Sequence, residues 1–90
     1  MRTIKRTVQF KRDYKREKRR KHGINLDDIL LKAVKCLVDD ITLPIHMRDH
    51  ALIGNCRDCH IKPDLVLIYR KPDADTLELT RLGSHSELGF

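Results

Sequence analysis

The sequence predicts an α+β domain of order β-α-α-β-β-β, with two helices packed on one face of a small, mostly antiparallel sheet. Three observations carry this. Apolar residues recur at helical spacing from Leu26 to Ile41. The run Leu65 to Tyr69 is uninterrupted, of strand length, and reads as a doubly covered strand. Two Lys-Pro-Asp turns, at Lys62 and Lys71, join strand-length segments so tightly that those segments must be antiparallel neighbours.

Taken in order, Ile4 to Arg6 makes a first short strand. Thr7 can cap a helix from Val8, its hydroxyl accepting a backbone N–H of the first turn. Phe10 and Tyr14 share a face of that helix, but no apolar residue continues the stripe, so the helix docks by its first two turns and exposes a basic second half. Asn25 is a good N-cap for the next helix, with Asp27 and Asp28 in the first turn, where the helix dipole favours negative charge. Thr42-Leu43-Pro44 ends it. Strands follow within Asn55–Ile61, at Leu65–Arg70 and at Thr76–Leu82, and the face of the sheet away from the helices is left open.

The 90 residues suit one small domain, taken as 1–90. Residues 1–23 carry 11 Lys and Arg against 2 Asp and Glu, a net of +9, while the remainder is net −3. This asymmetry suits a polyanionic partner, whether nucleic acid, an acidic membrane surface or an acidic protein; a solvated basic helix face is the plainer alternative. No apolar run is long enough to span a membrane and no secretory signal follows the basic start, so a cytoplasmic protein with reduced thiols is expected.

The segment Asp49 to Leu65 concentrates the chemistry: two histidines, two cysteines, an arginine and three aspartates. Cys56-Arg57-Asp58-Cys59-His60 has the spacing of a covalent haem site, but haem attachment belongs to exported chains, and a strand would turn the two cysteines to opposite faces. Cys-x-x-Cys is also half of a zinc site, for which no second ligand pair follows. Neither haem, metal nor other cofactor is expected; the cysteines fill space. The histidines offer more. His50, His60 and His85 flank predicted strands, with Asp64, Arg57 and Arg81 in the same segments. Two imidazoles can divide the roles of base and acid near neutral pH, and an arginine fork can hold a phosphate carrying transition-state charge. Such a set, beside a basic helix, could cut RNA without a metal. Simple alternation, however, puts Arg81 on the face of Leu77 and Leu79, opposite to the one such a site would need.

Asp49-His50-x-Leu52-x-Gly54, Arg57-Asp58-Cys59-His60-Ile61-Lys62-Pro63-Asp64, Leu67-Ile68-Tyr69 and Arg81-Leu82-Gly83-Ser84-His85-Ser86-Glu87-Leu88, together with Phe10-Lys11-Arg12-Asp13-Tyr14-Lys15-Arg16, resemble the YafQ branch of the RelE-like toxins. The resemblance covers nearly the whole chain. It implies a RelE-like fold and a ribosome-dependent mRNA endoribonuclease of a type II toxin–antitoxin pair, acting through metal-independent attack of the 2′-hydroxyl on the adjacent phosphate. A cognate antitoxin, mRNA and ribosomal RNA would be its partners, with no membrane. The matching catalytic positions are His50, His60, Asp64, Arg81 and His85, with His85 as general acid and His50 or His60 with Asp64 on the base side. Lys11, Arg12, Lys15, Arg16, Lys18, Arg19, Arg20, Arg57 and Phe90 would contact RNA. A catalytically weak member that binds only RNA or its antitoxin is the alternative; a gyrase poison of the same superfamily is disfavoured by the histidines. The chain departs from its relatives in three places. It is shorter between Gly54 and Arg57, so the loss must fall in a turn or shift His50 against His60; Leu65 stands where relatives often have Trp; Gly89 displaces Phe90 by one position.

Overall fold

The computed structural model describes residues 2–20, 23–52 and 54–89. The chain forms β1 (Thr3–Arg6), α1 (Val8–Lys18), α2 (Leu26–Val38), a 3₁₀ turn (Ile45–Met47), β2 (His50–Ala51), β3 (Cys56–Lys62), β4 (Leu65–Arg70), β5 (Thr76–Gly83) and α3 (His85–Leu88). One five-stranded sheet has the order β1-β5-β4-β3-β2, with β1 parallel to β5 and the remaining pairs antiparallel. The predicted class holds, with β2 and α3 added. Two residues are too few for strand periodicity to register. The short α3 is set by a capping box in which the Ser84 hydroxyl accepts from the Glu87 N–H while Glu87 reaches back to Ser84.

Thr7 caps α1 as expected, accepting from the Phe10 N–H at 2.9 Å. Past Phe10, though, the inward stripe of α1 continues as Asp13 and Glu17, both buried. The reason lies in the sheet. β1 pairs only with Thr76 to Leu79, which leaves the upper edge of β5 without a strand partner. Two side chains of α1 complete that edge: Asp13 accepts from the Leu82 N–H at 3.0 Å, and the Arg16 guanidinium donates to the Leu82 carbonyl at 2.9 Å. The expectation of a basic second half exposed throughout is therefore corrected at Arg16, which is turned inward.

Leu26, Leu30, Ala33, Val34, Leu37 and Val38 of α2 join Phe10 and the sheet residues Cys59, Ile61, Leu67, Tyr69, Leu77, Leu79 and Leu82 in one core. Asn25 occupies the N-cap position but does not cap with its side chain; its backbone is left-handed, φ 57°, and only its carbonyl is used, by the Ile29 N–H. The helix also stops a turn before the predicted Ile41. Asp40 takes a left-handed φ of 55°, and the Ile41 N–H closes on the Cys36 carbonyl at 2.8 Å while Asp40 closes on Leu37, a Schellman termination that leaves Ile41 exposed. No helix among the described residues is long and apolar enough to cross a membrane.

Between β2 and β3 the shortened connection is a tight hairpin, closed by the Leu52 N–H on the Cys56 carbonyl at 2.8 Å, with Gly54 at φ 72°. The register is His50 opposite Asp58 and Ala51 opposite Arg57. In β5, Ile68 pairs with Arg81 but Tyr69 pairs with Leu79, so Thr80 is an extra residue. This bulge reverses the alternation beyond it. Leu82 turns to the core, and Arg81 turns to the opposite face.

Candidate active site

Ladder pairing places His50, Asp58, Ile68 and Arg81 in one row across β2, β3, β4 and β5. Directly opposed residues share a face, and this one faces away from the helices. The next row runs from His60 through Val66 to Gly83, after which the chain turns into α3 and His85. The face is less open than the sequence suggests, since Asp58, Val66 and Ile68 on it are all buried.

His50 Nδ1 lies 2.8 Å from the Arg48 carbonyl and 3.0 Å from Asp58 Oδ1. Both neighbours are acceptors, so Nδ1 carries a proton and donates to the carbonyl, which leaves Nε2 as the ring nitrogen available to a substrate. Arg48 reaches this position through a left-handed backbone, φ 50°, which is uncommon outside glycine and costs about 1 kcal/mol or more. The rings of His60 and His85 stand 5.1 Å apart, tilted by 53°.

Asp58 is 1% exposed, and its Oδ1 has no hydrogen-bond donor among the described residues. Burial pushes its carboxyl above the usual carboxylate range, and the fields of His50, His60 and His85 oppose this without cancelling it. A carboxyl whose folded pKa is raised binds its proton more readily folded than unfolded. Ionised Asp58 therefore weakens the fold at neutral pH, and the penalty fades as pH falls through its folded pKa toward the unfolded value near 4. Asp58→Asn is expected to raise the melting temperature at pH 7 by about 5 °C, equivalent to ~1 kcal/mol, with the gain shrinking toward pH 4. Calorimetry across pH checks this; a variant no more stable at pH 7 than at pH 4, relative to wild type, would count against the buried charge.

Arg81 is clamped by Asp13 of α1, its Nε 2.7 Å from one carboxylate oxygen and its Nη2 3.3 Å from the other. Burial works to raise the Asp13 pKa, but the bonds from Arg81 and the Leu82 N–H, with the charges of Arg81 and Arg16, outweigh it and hold the carboxyl below its usual range. Two of the five guanidinium N–H groups are engaged, so the others remain for a phosphate.

The other predicted residues divide. Asp64 is exposed in the β3–β4 turn; the buried carboxylate beside the histidines belongs to Asp58, which sequence reasoning passed over although it shares the parity of His60 on β3. Phe90 lies outside the described residues. Of the cations proposed for RNA, Lys11, Arg12, Lys15 and Arg19 are exposed on and beside α1. Arg16 is held by Glu17, Asp13 and Glu87, Arg20 by Glu87, and Lys18 by Asp27. Arg57 belongs to the other face: it pairs with Asp49 at 3.2 Å beside Tyr69, whose hydroxyl bonds the same carboxylate. The cysteines are free thiols; Cys59 is buried in the core, which pushes its pKa up to about 12. Among the described residues, no three His, Cys, Asp or Glu side chains gather closely enough to hold a metal ion.

The profile of a family described as a bacterial toxin of type II toxin–antitoxin systems, YafQ, matches residues 2–89. The Escherichia coli K12 protein named mRNA interferase toxin YafQ is 34% identical over 92 residues, covering 97% of this chain and 95% of its own length. Among solved structures, a metal-bound toxin from Helicobacter pylori is 41% identical, with a TM-score of 0.86 and 98% and 99% of the two chains covered. The toxin chain of the E. coli DinJ–YafQ complex is 30% identical, with a TM-score of 0.84 and 98% of each chain covered.

Proposed function

The chain belongs to the YafQ family of type II toxin–antitoxin toxins, and from that membership we propose that it is an mRNA interferase that cuts messages on the ribosome by metal-independent acid–base chemistry. The observation that supports the chemistry is the row His50, Asp58, Ile68, Arg81, with His60 and His85 on the same face. His50, its Nδ1 proton fixed by the Arg48 carbonyl, takes the proton of the substrate 2′-hydroxyl on Nε2. The oxygen attacks the adjacent phosphorus, and the bond to the 5′-oxygen breaks. His85 gives that oxygen a proton, leaving a 2′,3′-cyclic phosphate and a free 5′-hydroxyl. Arg81, steadied by Asp13, faces the phosphate oxygens as their charge grows. His60, against His85, orients it; Asp64 at the neighbouring turn supports the base side.

The relative of known structure is complexed with DinJ, and we assign this chain a cognate antitoxin of the same kind. An apolar groove of about 800 Å³ between β1, α1 and α2 supports it, floored by Phe10, Leu30 and Val34, with Ile4 and Leu31 exposed and Lys11 and Lys15 at the rim. It suits an amphipathic segment with acidic flanks. The exposed cations Arg12 and Arg19, joined by Lys11 and Lys15 when no antitoxin fills the groove, serve ribosomal RNA, and the protein acts in the cytoplasm, where its substrate is translated.

Mapping RNA 5′ ends after induction tests the reading. New ends should be found on a translated message and not on the same message without its start codon. In a purified translation system, excess chelator should leave the rate unchanged. No new ends on the translated message would leave only a binding protein, and a rate abolished by the chelator would end the metal-independent mechanism.

A further inference from the structure

A second recess, of about 370 Å³, opens beside His60 between the 3₁₀ turn and the end of β3. Its volume falls in the range of about 300–1,000 Å³ that takes small molecules. His46, Arg48, His60 and Lys62 line it with Ile61 and Pro63, so no carboxylate is among its described lining residues. The segment bearing His46 and Arg48 is anchored by Met47 between them, which is buried in the core. Neither His46 nor the Arg48 side chain has a partner among the described residues, and both are exposed. Lys62 is tethered by one bond to the Ile24 carbonyl, which leaves two of its three donors. Cationic groups over a small apolar wall, one imidazole away from the row described above, are the chemistry of a phosphate with an attached base.

We propose that this recess is a nucleotide subsite: Arg48 and Lys62 hold the phosphate of the nucleotide adjoining the cleaved bond, and its base lies against His46 and Pro63. The assignment rests on the nuclease reading and adds to it a place for the substrate outside the reacting groups. Arg48 then has two tasks, its carbonyl fixing His50 and its guanidinium holding RNA, which explains why a bulky residue occupies a left-handed position there.

The probe is a short 2′-O-methyl RNA, which binds but cannot be cut because the attacking hydroxyl is blocked, followed by fluorescence anisotropy across a salt series. Arg48→Asn keeps a residue that tolerates left-handed backbone, and should weaken binding about tenfold with the log–log salt slope reduced by ~0.7, one phosphate contact. His46→Ala, at an exposed position that the fold does not need, should weaken binding at least about fivefold and leave the slope unchanged. Unchanged affinity and slope in both variants, with wild type cutting translated messages, overturns the subsite alone. A wild type that neither binds the RNA nor cuts overturns the subsite together with the nuclease reading. Variants that bind RNA normally but lose antitoxin affinity would give the recess to the protein partner, which also overturns the proposal.

Discussion

Replacing His85 with alanine is expected to lower single-turnover cleavage by about 10²–10⁴-fold, the usual worth of one general acid, without unfolding the protein. Alanine is a good helix former and the Ser84–Glu87 capping box that sets α3 stays intact. The rate–pH profile carries the sharper information. Paired acid and base in wild type should give a bell, and His85→Ala should lose the limb on the alkaline side, where the acid is deprotonated. His60→Ala is the comparison. Its ring stands 5.1 Å from that of His85, so it should slow the reaction less and retain both limbs. If His85→Ala cuts as fast as wild type, or if His60→Ala is the variant that loses the alkaline limb, the acid has been assigned to the wrong histidine.

Asp13→Ala should cost about 3–5 kcal/mol of stability, the range for breaking a buried charge network from one side, and lower the melting temperature by ~15 °C or more. The carboxylate serves three groups: Arg81, Arg16 and the Leu82 N–H. Asp13→Asn is milder and more informative. Because the folded pKa of Asp13 is depressed, its contribution is present above the unfolded value near 4 and is lost as pH falls through the folded value. Wild type should therefore lose stability on acidification where Asp13→Asn does not, and the two melting curves should converge toward low pH. Assayed where the variant is folded, cleavage should still fall because Arg81 is no longer held. An Asp13→Asn protein with wild-type melting at pH 7 would contradict the network.

Much of this was legible in the residues, because much of it obeys periodicity. The stripe from Leu26 to Val38, the Thr7 cap and both Lys-Pro-Asp hairpins follow from local rules, and the second hairpin fixes β5 beside β4. What local rules cannot carry is the fate of unpaired backbone. Nothing in residues 7–18 announces that Asp13 and Glu17 are buried, since their burial is caused by an edge of β5 that β1 fails to cover. Likewise, Thr80 is an ordinary β-former, and only the demand that Leu82 return to the core makes it a bulge and turns Arg81 over. Asp58 was missed for a different reason. A carboxylate between Arg57 and Cys59 reads as a solvated partner for the arginine, yet alternation places it with His60, and parity alone could have found it.

The bulge and the α1 clamp also decide when during folding a site can exist. Thr3 pairs with Thr76, the Thr7 hydroxyl bonds the Thr80 carbonyl, and Asp13 lies 69 positions from the Leu82 it bonds. Closing loops of this length carries an entropic cost, and contacts so distant in sequence form late, after the β3–β4–β5 meander has condensed. Until β5 is threaded between β1 and β4, Asp13 and Glu17 have only cations close in sequence, Arg16 and Arg20, to pair with, and Arg81 lacks the Asp13 clamp that fixes its direction. The hairpins can hold His50 beside Asp58 before that moment, but Arg81 is fixed beside them only with the final docking of α1. On this order of events, the row of His50, Asp58 and Arg81 is complete only when the whole fold is.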